Sequence, residues 1–161
     1  MGVSGSGKST IGAMLAEQLK LPFYDGDDFH PQENIDKMSR GAALNDTDRQ
    51  PWLEKLARLP LENPEGCITA CSALKKSYRE TLNSHVLQRF IYLKGNQEDL
   101  QPRLIKRSAE NLHFMPSSLL ESQFETLEAP DRSSLFMSLE IQLSPEQLVS
   151  QIAHTIRNEH C

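Results

Sequence analysis

Met1-Gly2-Val3-Ser4-Gly5-Ser6-Gly7-Lys8-Ser9-Thr10 opens the chain, and Gly2, Gly7, Lys8 and Ser9 stand at the spacing of a G-x-x-x-x-G-K-[ST] phosphate loop. Glycines at such places let backbone N–H groups converge on phosphate oxygens. Lys8 adds a point charge at the β and γ phosphates of a nucleoside triphosphate, and the Ser9 hydroxyl offers a magnesium ligand. Thr10 reads as helix surface or as a second hydroxyl near the phosphates. Ile11, Met14, Leu15 and Leu19 then recur at helical spacing, which predicts a helix from Gly7 to about Lys20 with the loop at its N-terminus. Such a loop normally hangs from a buried strand. With no strand ahead of Gly2, the expected sheet lacks its first central strand.

Outward from the loop, Pro22 ends the first helix, and Phe23-Tyr24 predicts a short strand entering Asp25-Gly26-Asp27-Asp28-Phe29-His30-Pro31. Residues 32–39 read as a helix stopped by Gly41. Another helix runs through Trp52, Leu53, Leu56 and Leu59 and is expected to end at Pro60. Gly66 to Cys71 is a short apolar run after a turn, the pattern of a buried parallel strand. Further strands are predicted at Phe90–Leu93 and Leu135–Ile141, and helices at Gln97–Arg107, Leu119–Leu127 and Ser144–Asn158, the last capped by Ser144. Strands alternating with helices predict a single α/β domain, a three-layer α/β/α arrangement on a parallel sheet. Ligands then sit beyond the C-terminal strand ends, where the polar loops emerge.

The 161 residues carry a net charge of -5, with 38% hydrophobic and 24% charged residues, which is ordinary for a globular domain. This charge opposes a general nucleic-acid surface, which needs clustered Lys and Arg. No apolar run approaches the roughly 20 residues that span a bilayer, and no secretory leader is recognisable, so the expected compartment is the cytoplasm. Cys67, Cys71 and Cys161 form neither a metal pattern nor a disulfide framework.

Phosphoryl transfer requires an aligned acceptor hydroxyl, a carboxylate to receive its proton, and positive charge on the transferring group. Asp25 and Asp27 are candidates for the first two tasks: alternate residues on a strand share a face, although Gly26 between them equally permits a turn. Lys75, Lys76 and Arg79 follow the buried strand, and the i, i+3 relation puts Lys76 and Arg79 on one helical face, suited to a substrate carboxylate or simply to solvent. Arg103 and Arg107 border the polar stretch from Ser108 to His113. That stretch reads as a flap that could close over phosphates, or the two arginines as ordinary surface cations.

Taken in order, GVSGSGKST, YDGDDFHPQENIDKM, LNDTDRQPWL, CSALKKSYR, FIYLKG and HFMPSSLLESQFETLEAP resemble the thermoresistant gluconokinase family across most of the chain. The resemblance implies a P-loop kinase of the shikimate-kinase-like kind that moves the γ-phosphate of ATP, with Mg2+, to the 6-hydroxyl of D-gluconate. It implies that residues 2–10 bind ATP, that Asp25 and Ser9 serve magnesium, and that Asp27 is the base. His30, Arg49, Lys75, Lys76 and Arg79 match positions around the polyol acid, with Arg103 and Arg107 in a lid at about 106–116. Gln123 is a polar contact to substrate or lid, and a homodimer is the implied assembly. Two other readings are a shikimate-type kinase and a non-catalytic nucleotide-binding or regulatory chain.

Overall fold

The computed structural model describes residues 1–109, 119–130 and 135–158, with the backbone alone at 107–109. Elements follow in the order α1 (Lys8–Leu19), β1 (Phe23–Asp25), a 3-10 turn (Gly26–Phe29), α2 (Gln32–Ser39), α3 (Asp46–Glu62), β2 (Ile68–Ala70) and α4 (Lys76–Leu82). β3 (Phe90–Lys94), α5 (Gln97–Ala109), α6 (Leu119–Thr126), β4 (Phe136–Glu140) and α7 (Pro145–Asn158) complete it. The Ser144 hydroxyl accepts from the Gln147 N–H at 3.3 Å, capping α7 as its sequence predicts.

One helix departs from expectation. α3 runs past Pro60 to Glu62. Proline removes one backbone donor and crowds the carbonyl four residues back, but near a C-terminus few bonds remain to lose. Asn63 finishes the turn, its Nδ2 donating to the Leu59 carbonyl at 2.8 Å and its N–H to the Pro60 carbonyl at 3.3 Å.

β1 pairs with β2 and β3 with β4, both in parallel. Each pair has helices on both faces, as the period-2 alternation of a strand requires. Ile91, Leu93, Met137 and Leu139 pack with Ile11, Leu15 and Ile152 of α1 and α7. Phe90 and Phe136, pointing the other way, pack with Trp52, Leu53, Leu56, Tyr78 and Leu82 of α3 and α4. The two strand pairs are bridged by the first two residues of the chain. The Met1 ammonium donates to the Ile91 carbonyl, the Leu93 N–H to the Met1 carbonyl at 2.9 Å, and the Gly2 N–H to the Ser72 carbonyl at 3.1 Å. Met1 and Gly2 thus lie between β3 and the segment that follows β2.

Cys67 and Cys71 carry free thiols, and burial pushes the Cys71 thiol up to about 12, which leaves it inert as a nucleophile at neutral pH. No helix among the described residues is long and apolar enough to cross a membrane.

Candidate active site

The loop from Val3 to Gly7 turns tightly between the sheet and α1. Val3, 2% exposed, anchors it in the core, and the Ser6 N–H donates to the Val3 carbonyl at 3.3 Å. Gly7 caps α1 at φ 93°, a left-handed conformation that costs a side-chain-bearing residue about 1–2 kcal/mol. At Gly2 the constraint is space, since a Cβ there would lie 2.8 Å from the Leu93 carbonyl oxygen. The loop therefore brings the positive end of α1 to the cleft that Lys8 lines. The Lys8 Nζ folds back to donate to the Val3 carbonyl at 3.1 Å. The Ser6 hydroxyl is buried without a hydrogen-bond partner, a polar atom of the kind that a bound phosphate oxygen satisfies. Ser9 and Thr10 lie exposed in the first turn of α1.

Beside the loop, a cleft of about 40 Å³ brings Ser4 and Lys8 together with Asp27, His30, Arg49 and Gln123. Residues 119 positions apart meet here: Gln123 accepts the Ser4 N–H at 2.7 Å and donates to the Ser4 hydroxyl at 3.0 Å. Its described contact is thus with the phosphate loop itself, where the sequence suggested substrate or lid.

Of the two aspartates, Asp27 lines the cleft. β1 stops at Asp25, whose carboxylate accepts the Asp27 N–H at 3.1 Å and so caps the 3-10 turn. The turn allowed by Gly26 is the conformation adopted, and it sets the two side chains to different tasks. His30 stacks on Trp52 with ring centroids 4.3 Å apart and planes 14° from parallel. Trp52 in turn donates to the Gly26 carbonyl at 2.7 Å. Sequence reading placed Trp52 in the α3 core and missed this support; its sole signal was being the one tryptophan of the chain.

Burial lowers the His30 pKa to about 4, with Arg49 acting in the same direction and Asp27 opposing, so the ring is neutral at pH 7. In the unfolded chain it takes its proton near 6.5; the folded state therefore resists protonation between 6.5 and about 4. Stability from this group is complete above pH 6.5 and drains away as pH falls towards 4. Burial, with the Lys8 charge, likewise lowers the Met1 ammonium from 8.0 to about 5, adding a loss of the same sign between pH 8 and 5. We expect the His30 ring proton to titrate by NMR with a midpoint near 4, and His30→Asn to flatten the fall of the urea midpoint between pH 6.5 and 4. A His30 midpoint near 6.5 would contradict the buried, neutral ring.

The basic residues separate. Arg49 reaches the cleft from α3, donating to the Leu44 carbonyl and lying 3.4 Å from the Tyr78 hydroxyl with its guanidinium over that ring. Lys75 instead sits 2.8 Å from both Asp46 oxygens. That bond, with one from Tyr78, holds the Asp46 carboxyl below its ordinary range. Lys76 is exposed, and its N–H donates to Glu128 at 2.6 Å. Arg79 is buried at 5% exposure, donates to the Ala73 and Leu74 carbonyls at 3.0 Å each, and lies over the Phe136 ring.

The shared helical face expected for Lys76 and Arg79 is therefore not formed: one points to solvent and the other into the core. Arg79 shapes the loop that carries Ser72 and Leu74 to the cleft. Arg79→Met strands two carbonyls, and we expect it to cost about 2–4 kcal/mol in urea unfolding; a loss under about 1 kcal/mol would show those bonds to be idle. Arg103 lies on α5, its guanidinium 3.5 Å from the Ile141 carbonyl. The Arg107 side chain and residues 110–116 of the expected lid lie outside the described residues.

Comparison with known proteins agrees with this geometry. The shikimate kinase family model matches residues 4–157. A gluconokinase of Arabidopsis thaliana is 44% identical over 98% of this chain and 90% of its own length. The thermosensitive gluconokinase of Escherichia coli (strain K12) is 50% identical over 81% of this chain and 70% of its own. The crystal structure of a gluconokinase from Sinorhizobium meliloti 1021 superposes with a TM-score of 0.86 at 41% identity, covering 98% of this chain and 89% of that one. A glycine-turned phosphate loop, an aspartate and an arginine facing it, and such likeness along nearly the whole length lead to one statement: the chain belongs to the gluconokinase family.

Proposed function

We propose that this single domain phosphorylates D-gluconate at its 6-hydroxyl, taking the γ-phosphoryl group of ATP and releasing ADP and 6-phospho-D-gluconate. The observation that carries the reading is the meeting of Lys8 and Ser4 of the phosphate loop with Asp27, His30 and Arg49 in one cleft. In the proposed reaction the loop N–H groups, Ser6 and Lys8 hold the phosphates, and Arg103 and Arg107 are assigned to the lid as its cations. Asp27 takes the proton of the acceptor hydroxyl as its oxygen bonds to phosphorus and the bridging bond to ADP breaks. Neutral His30, held flat against Trp52, offers a polar edge to the polyol.

Magnesium keeps most of its waters and needs one or two protein oxygens besides substrate phosphates, so a large acidic cluster is not required. Ser9 and Asp25 are the residues we assign to it, and its role is to neutralise charge on the phosphates. The cytoplasm remains the compartment we propose.

Arg49 is, in this reading, the partner of the substrate carboxylate, since Lys75, Lys76 and Arg79 are directed elsewhere. Arg49→Gln is expected to raise the gluconate KM by about 10- to 100-fold, the loss of one charge-assisted hydrogen-bonded pair, with a smaller effect on kcat. An unchanged KM would move the carboxylate to another residue. The substrate itself is tested by measuring ADP release with gluconate, shikimate and nucleoside monophosphates offered separately. Faster turnover of shikimate, the substrate that the matched family model brings to mind, would replace the gluconate assignment. No turnover of any of them would favour a non-catalytic role.

A further inference from the structure

The amide of Gln123, 8% exposed, holds one residue of the phosphate loop at two atoms, its oxygen accepting the Ser4 N–H at 2.7 Å and its nitrogen donating to the Ser4 hydroxyl at 3.0 Å. The Ser4 N–H and the Val3 carbonyl belong to one peptide unit. That unit is planar and trans, so its N–H and C=O point in opposite directions and turn together. On the carbonyl side stand the Ser6 N–H at 3.3 Å and the Lys8 Nζ at 3.1 Å. Gln123 therefore holds the back of the same rigid plane whose front holds the Lys8 ammonium.

The helix that carries Gln123 is firmly anchored. Leu120, one turn earlier on the same face, is 2% exposed in the core with Leu15 and Leu100, and Phe124 and Leu127 pack against that core. Just beyond α6, the Glu128 N–H donates to the Leu74 carbonyl at 2.9 Å, and the Glu128 carboxylate accepts the Lys76 N–H at 2.6 Å. An amide delivered from so fixed a support sets the position of the loop instead of following it. Satisfying the Ser4 N–H would by itself require only an acceptor. What singles out this contact is the far side of the peptide, where the charge assigned to the phosphates is held.

We propose that Gln123 is a positioning residue for phosphoryl transfer: by fixing the Val3–Ser4 peptide it fixes the carbonyl that orients the Lys8 ammonium in the cleft shared with Asp27. The inference rests on the reading of the loop as the ATP site. Without the amide the peptide unit can rotate, its carbonyl turns away from Lys8, and the ammonium loses its preset place. Charge stabilises a transition state best when nothing has to reorganise as the reaction proceeds. The loss therefore falls on kcat and on ATP, while the proposed gluconate contacts of His30 and Arg49 come from other elements.

The test compares the parent chain with Gln123→Met, which keeps the length of the side chain and removes both bonds. We expect kcat to fall about 10- to 100-fold, a part of what a preorganised charge supplies. The KM for ATP should rise about threefold or more while that for gluconate stays within about twofold, a split that a general loosening of the fold does not produce. In the Lys8→Ala background the same substitution should lower kcat less than about twofold, because the group it positions is gone. Calorimetric affinity for MgATP, measured without gluconate, should weaken about fivefold or more, the phosphates losing a preset charge. If Gln123→Met shows no cooperative urea transition, Gln123→Asn takes its place with the same expected losses, being polar but one methylene too short to reach Ser4 from the anchored helix.

A variant that keeps more than about a third of the parent kcat, against the tenfold scale above, would overturn the positioning role. So would a gluconate KM that rises in step with the KM for ATP. An equal fall of kcat with and without Lys8 would overturn the route through that residue. Should the parent turn over no gluconate, the proposed reaction fails by itself, and the MgATP affinities still decide the role of Gln123: equal affinity of parent and variant would overturn it. A parent that binds no MgATP would overturn both.

Discussion

Lys8→Ala is expected to lower kcat for gluconate phosphorylation by about 10³-fold or more, the scale of removing one preorganised group that stabilises transition-state charge. Lys8 begins α1, its Nζ is 3.1 Å from the Val3 carbonyl, and it borders the cleft that also holds Asp27. A charge so placed acts on the oxygens of the group in transfer, where negative charge is spread during an in-line displacement. Folding has less at stake. The variant gives up a hydrogen bond of the ordinary kind, worth about 1 kcal/mol, so the urea midpoint should move little while turnover collapses. Lys8→Arg should recover only a small part, because a planar guanidinium does not reproduce a compact ammonium within a closed loop. A variant retaining a tenth of the rate would remove Lys8 from the catalytic role we give it.

Asp27→Asn should lower kcat by about 10²- to 10⁴-fold, the usual contribution of a positioned base, while ATP affinity measured by calorimetry stays within about threefold of the parent. The substitution is close to isosteric and leaves the Asp27 backbone N–H on the Asp25 carboxylate at 3.1 Å, so the turn survives it. Asp25→Asn offers the contrast: it weakens the cap of the 3-10 turn and should disturb kcat through geometry and magnesium together, not through proton removal. If Asp27→Asn keeps more than a third of the rate, the proton goes elsewhere and Asp27 is not the base.

Much of this site was legible before any coordinates, and the legible parts share a cause. The spacing of Gly2, Gly7, Lys8 and Ser9 encodes a loop whose geometry depends on residues adjacent in sequence. The span of α2 and the Ser144 cap of α7 are likewise local. At other site residues, side-chain packing decides. Arg79 follows the same strand as Lys75 and Lys76 and looks equally fit for an anion, yet the Ala73 and Leu74 carbonyls and the Phe136 ring draw it into the core. Gln123 finds its partner 119 residues away. Trp52 becomes part of the site because the 3-10 turn lays His30 on its ring.

By itself, then, the sequence determined the alternating α/β layout, the phosphate loop and the class of chemistry, since glycine spacing, helical period and capping act over a few residues. Only the tertiary structure decided that Asp27 and Arg49 line the cleft beside the loop while Asp25 caps the turn and Arg79 is buried, and that Met1 and Gly2 bridge two strand pairs. Side-chain direction and strand adjacency are set by packing between segments far apart in the chain, and no local pattern carries that information.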